Sequence, residues 1–70
     1  MSRLNKYVLE APSLAPQERF NLFQKVERMV FLPEKNQPDI HFDTFTFYAY
    51  PEQIPSVKAY LPVGAVLHIA

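Results

Sequence analysis

The 70 residues are enough for one small domain, and a hydrophobic fraction of 49% with 20% charged residues is typical of a folded globular protein. No cysteine is present, which excludes disulfides, thiolate–zinc sites and a catalytic thiol and fits a reducing compartment. Seven basic and seven acidic residues cancel, so the composition lacks the basic surplus typical of nucleic-acid binders, and a single glycine excludes glycine-rich phosphate loops.

The first predicted element is a strand over Leu4–Ala11. Its alternation places Tyr7, Leu9 and Ala11 on one face, and the other face carries Lys6, Val8 and Glu10. Pro12 ends the strand.

A helix is predicted from Pro16 to about Phe31. Apolar side chains recur there at three- and four-residue spacing: Leu22, Phe23, Val26, Met29 and Val30. Proline is tolerated in a first helical turn, and Ser13 is a candidate for the N-terminal cap. Pro33 disfavours helical backbone at the residue before it, so the helix should stop there.

The central predicted element is an aromatic strand over Ile40–Tyr50, where aromatic and β-branched residues favour extended backbone. Phe42 is out of phase with Phe45, which predicts a bulge or a strand start near Asp43. From there the alternation is regular. One face carries Phe45, Phe47 and Ala49, and the other carries Thr44, Thr46, Tyr48 and Tyr50.

The C-terminal part predicts a turn and a short helix from Pro51 through Leu61, followed by a strand over Ala65–Ile69. The helix has a narrow apolar stripe formed by Ile54, Val57 and Leu61. Val63 and Gly64 supply the turn into the strand, and Leu67 should point inward.

These elements predict an α+β fold: one small domain over residues 1–70, in the order β-α-β-α-β, as a three-stranded sheet with two helices packed on one face. The connection from Ala11 to Ile40 is long enough for parallel pairing of the first two strands, whereas that from Tyr50 to Ala65 is close to the minimum. Strand order and direction stay open. No apolar run approaches the ~18–20 residues of a membrane span, and no signal-peptide core follows the N-terminus, so we expect a cytoplasmic protein.

Few residues suggest catalysis. His41 and Asp43 share a side of a regular strand and, with His68 as a third ligand, could form a metal-assisted catalytic site. The simpler interpretation is a histidine at the strand entry beside a solvated aspartate, with the His68 imidazole pointing outward. No serine lies in a nucleophile elbow. We therefore expect no enzymatic activity, no metal site and no cofactor.

The aromatic residues are the main functional signal, and most of Phe20, Phe23, Phe31, Phe45 and Phe47 should form the core. If the helices cover the phenylalanine face, the face with Thr44, Thr46, Tyr48 and Tyr50 is open. We expect that face to bind another protein or a second copy of the chain, as in a small accessory subunit, adaptor or inhibitor.

Two alternatives remain for the tyrosine face. It could stack single-stranded nucleic acid, although the nearest basic residues in sequence are Lys35 and Lys58. It could also pack against the chain's own N-terminal segment. A ring of arginine and lysine side chains around the tyrosines would favour nucleic acid.

Overall fold

The computed structural model describes residues 3–33 and 38–70 and confirms the α+β class and the order β-α-β-α-β. The elements are β1 Asn5–Glu10, α1 Pro16–Glu27, β2 Thr44–Ala49, a 3-10 turn Pro51–Gln53, α2 Ile54–Ala59 and β3 Val66–Ile69. Within the described ranges, no helix combines the length and apolarity needed to cross a membrane.

The sheet has the order β2-β1-β3, and β1 pairs antiparallel with both neighbours. In the register with β2, Glu10 lies opposite Thr44 and Lys6 lies opposite Tyr48. In the register with β3, Tyr7 lies opposite Ile69. The parallel pairing that the long first connection allowed does not form.

The antiparallel direction of β2 follows from the path of the chain after α1. Phe31 pairs with Tyr48, next to the beginning of β1, so α1 has by then carried the chain back along the sheet. Phe42 lies near the other end of the sheet, because Arg19 in the first turns of α1 donates a hydrogen bond from Nε to the Phe42 carbonyl at 2.8 Å. The chain therefore enters β2 at the end where β1 stops, which gives antiparallel pairing.

The predicted helix is too long at its C-terminal end. It ends at Glu27 rather than near Phe31, and Arg28 to Val30 form a turn. The Phe31 N–H donates to the Tyr48 carbonyl at 2.8 Å, and the Tyr48 N–H donates to the Phe31 carbonyl at 2.7 Å. These two bonds take the backbone groups that a longer helix would need.

The start of the helix also differs from the prediction. Ala15 occupies the N-cap position with no side-chain hydrogen bond, so Ser13 does not cap α1, and Pro16 occupies the first turn as predicted. Strand β2 begins at Thr44, which confirms the predicted strand start near Asp43, whereas Ile40 and His41 lie in a turn.

Both helices contribute to one core on one face of the sheet. The buried apolar residues are Tyr7, Leu9, Ala11, Leu22, Phe23, Val26, Phe45, Phe47, Ala49 and Val57. Phe23 of α1 stacks on Phe45 of β2 at 5.3 Å between ring centroids, and Tyr7 stacks on Phe47 at 5.6 Å. The predicted inward faces of the first two strands are therefore confirmed.

Candidate interaction face

The side of the sheet that faces away from the core is named the outer face. Residues that are directly paired in an antiparallel sheet point to the same side, so the register defines this face. Its strand residues are Thr44, Thr46 and Tyr48 on β2, Lys6, Val8 and Glu10 on β1, and Val66 and His68 on β3. Thr44 is exposed, whereas Thr46 and Tyr48 are half-buried.

An aromatic cluster forms one border of the outer face. Phe31 shares the side of Tyr48, its partner in the β-bridge, and Tyr50 follows two residues later along the chain. The Phe31 and Tyr50 rings meet edge to face, with centroids 5.9 Å apart and an interplanar angle of 87°. Phe31 is 49% exposed and Tyr50 is 36% exposed, so this pair presents apolar surface to solvent.

Phe31 is the functional candidate that the sequence did not identify. The sequence predicted Phe31 at the end of the helix, outside the apolar stripe, and we expected it among the core phenylalanines. Its extended backbone instead brings it beside Tyr48 on the outer face. Pro33 indicated that the helix ends nearby, but no local pattern indicated that Phe31 would pair with a strand 17 residues further on.

Gln53 holds the aromatic cluster in place from the 3-10 turn. Its Oε1 accepts a hydrogen bond from the Tyr50 N–H at 2.8 Å, and its Nε2 donates to the Met29 carbonyl at 2.9 Å. One side chain therefore links the residue that follows β2 to the turn that precedes Phe31. The linkage fixes the backbones that carry the two rings.

Replacing Gln53 with alanine should lower the free energy of unfolding by about 1–2 kcal/mol, because two backbone groups lose their partner. Urea denaturation followed by circular dichroism measures the change. Gln24→Ala, at an exposed position of α1, is the matched control and should shift stability by less than about 0.5 kcal/mol. Equal stabilities for the two variants would contradict the bridging role of Gln53.

The outer face carries few charges. Lys6 and Glu10 lie on its central strand, and Glu10 Oε2 lies 3.2 Å from His68 Nε2. Lys58 lies on the other side of the sheet, where it lines an open cavity beside Tyr7. Lys35 lies outside the described residues.

The three residues considered for metal-assisted catalysis do not form a site. Asp43 pairs with Arg19, whose terminal nitrogen lies 3.3 Å from the carboxylate. His68 pairs with Glu10, and His41 donates its backbone N–H to the Asp39 side chain at 2.9 Å. Within residues 3–33 and 38–70, no group of three histidine, cysteine, aspartate or glutamate side chains could hold a metal ion.

Comparison of the chain with protein-family models, curated proteins and solved structures finds no match.

Proposed function

We propose that the chain is a non-enzymatic, cytoplasmic protein-interaction module that docks on another protein through the outer face of β2. The contact residues are Thr44, Thr46, Tyr48 and Tyr50, with Phe31 added by the fold. The observation that carries the proposal is the exposed edge-to-face pair of Phe31 and Tyr50 beside Tyr48, on the side that the helices leave uncovered. An accessory subunit, adaptor or inhibitor would use such a face.

The energetics of the aromatic cluster support a docking role. Tyrosine and other aromatic residues are enriched among the residues that dominate binding energy, because they supply a large area and few rotatable bonds. Here the backbone of Phe31 is fixed by its two bonds to Tyr48, and that of Tyr50 by Gln53. Binding would therefore order few additional groups, which lowers its entropic cost.

The charges favour a protein partner over single-stranded nucleic acid. Among the described strand residues of the outer face, Lys6 is matched by Glu10, and Lys58 lies on the opposite side. A stacking platform for nucleic acid needs basic side chains that follow the phosphates. A face with one lysine and one glutamate fits the mixed polar rim of a protein interface better.

Capture from cell extract tests the docking proposal when wild type and variants are compared quantitatively. The Tyr48→Ala/Tyr50→Ala variant should bind the captured protein at least about tenfold more weakly, because central tyrosines contribute a large share of binding energy. Tyr60→Ala is the matched control, since Tyr60 is 57% exposed beside α1 and away from the outer face. Circular dichroism and thermal melting establish that each variant is folded.

Three outcomes would contradict the docking proposal. Undiminished binding by the folded double variant would exclude Tyr48 and Tyr50 as contact residues. An equal loss of binding in Tyr60→Ala would exclude the outer face as the specific site. Binding of mixed single-stranded oligonucleotides that weakens with salt and is lost in the double variant would assign the face to nucleic acid instead.

A further inference from the structure

The two edges of the sheet differ in how their backbone groups are used. At the β2 edge, Tyr48 exchanges two hydrogen bonds with Phe31, and the Tyr50 N–H is bound by Gln53. At the β3 edge, no hydrogen bond from the described part of the chain reaches the outer side of Val66–Ile69. An open edge of this kind is a template for another strand.

The alternation of hydrogen bonds along β3 identifies the backbone groups that face the open edge. The Ala70 N–H donates to the Lys6 carbonyl at 2.9 Å, so these two residues form a hydrogen-bonded pair. Hydrogen-bonded pairs alternate along an antiparallel ladder, so His68 and Val66 also direct their backbone groups to β1. The N–H and C=O groups of Leu67 and Ile69 therefore point outward to the edge.

Apolar side chains line the same edge. Leu67 and Ile69 lie opposite Leu9 and Tyr7, which places them on the core side of the sheet. Ile69 is nevertheless 78% exposed, because the helices do not extend over it. An open cavity of about 340 Å³ runs alongside, and Ile54 lies on its helical wall. The edge therefore combines free backbone groups with uncovered apolar surface.

We propose that β3 pairs antiparallel, about a two-fold axis, with β3 of a second copy of this chain, giving one continuous six-stranded sheet. Side chains that lie opposite each other in a sheet point to the same side. One residue of β3 must therefore lie opposite its own copy across the two-fold axis. Centred on Leu67, the pairing lets each Leu67 N–H donate to the other Leu67 carbonyl. Each Ile69 N–H then donates to the Ala65 carbonyl of the other copy.

Charge permits a second copy as the occupant and disfavours one of the possible registers. The chain has a net charge of zero, so two copies do not repel each other. A pairing centred on His68 would place two imidazoles directly opposite each other. The pairing centred on Leu67 instead places each His68 opposite Val66, whose neighbour on β1 is Glu10, an acidic residue. Each His68 keeps its pairing with Glu10 of its own chain, and no two imidazoles lie opposite each other across the axis.

The available area sets the strength of the dimer. A standard interface buries about 800 Å² per partner, roughly a sixth of the 4769 Å² accessible surface of this chain. A four-residue strand with Ile69 and the adjoining cavity wall offers less than that. We therefore expect a weak, reversible dimer with a Kd of about 100 µM.

This dimer is independent of the docking proposal, because Tyr48 and Tyr50 lie at the opposite edge of the sheet. Sedimentation equilibrium from about 10 µM to about 1 mM tests it around the expected Kd. The mass should rise from 8.2 kDa towards twice that value with concentration. Ile69→Lys and Ile69→Pro should remain monomeric, and the proline removes only an N–H that faces the open edge.

Val63→Lys is the matched control, because Val63 is 99% exposed outside the strand, and it should dimerise like the wild type. Circular dichroism identifies any variant that fails to fold, and Ile69→Lys keeps the test valid if Ile69→Pro unfolds. A wild-type chain that stays monomeric at the highest concentration would overturn the proposal. So would self-association that persists in folded Ile69→Lys, or that is lost in Tyr48→Ala/Tyr50→Ala, because the latter would place the dimer on the outer face.

Discussion

Phe47→Ala is expected to lower the free energy of unfolding by about 3–5 kcal/mol, the usual cost of truncating a buried phenylalanine. The Phe47 side chain is fully buried, and its ring lies 5.6 Å from the Tyr7 ring and 5.7 Å from the Phe45 ring. A domain of 70 residues has only about 4–10 kcal/mol in total. The variant should therefore lose a large share of its stability, and its urea midpoint, measured by circular dichroism at 25 °C, should fall well below that of the wild type.

Thr46→Ala provides the matched control for Phe47→Ala on the opposite face of the same strand. It should cost less than about 1 kcal/mol, which is the range of strand propensity at a half-buried position. Similar losses for the two variants would contradict the assignment of one buried face and one solvent-facing face to β2.

Gly64→Ala should destabilise the domain by about 2–4 kcal/mol for two separate reasons. Gly64 has φ of +96°, in the region that favours glycine, and an added Cβ would overlap the Ser13 hydroxyl oxygen. The turn that leads into β3 therefore needs both the backbone freedom and the small size of glycine. Thermal and urea denaturation measure the loss.

The variant Gly64→Ala/Ser13→Ala separates the two contributions at this turn. Removing the Ser13 hydroxyl should recover the part of the loss that comes from overlap and leave the part that comes from the positive φ. Complete recovery would show that the backbone conformation costs nothing, and wild-type stability of the single variant would contradict both contributions.

The strands were predictable because their pattern is local. Tyr7 and Leu9 lie two residues apart, and so do Phe45 and Phe47, so the period of two identifies the residues that share the buried side of each strand. The same alternation predicted that Tyr48 would lie on the outer face. Four of the five proposed contact residues, all except Phe31, could therefore be derived from a period of two residues.

Strand direction and the position of Phe31 were not predictable, because both depend on contacts between distant parts of the chain. We expected Phe31 in the core, at the end of a longer helix. The bonds between Phe31 and Tyr48 end that helix early, and the Arg19 bond to Phe42 holds the chain at the end of the sheet where β2 begins. No single segment contains this information.

The two proposed binding surfaces lie at different places on the sheet, one on its outer face and one at its open β3 edge. The outer face offers a preordered aromatic cluster around Tyr48, and the β3 edge offers free backbone groups with Ile69 beside them. A dimer through β3 would leave both copies of the aromatic cluster accessible at the far edges of the joined sheet. The chain could then present two docking faces at once.

The most direct test of the central proposal is chemical-shift mapping of the isotope-labelled chain as its captured partner protein is added. We predict the largest amide shift changes at Thr46, Tyr48 and Tyr50, with Phe31 among them and the solvent-facing side of α1 unchanged. Changes concentrated on α1 or α2, with the amides of Tyr48 and Tyr50 unaffected, would contradict docking through the outer face.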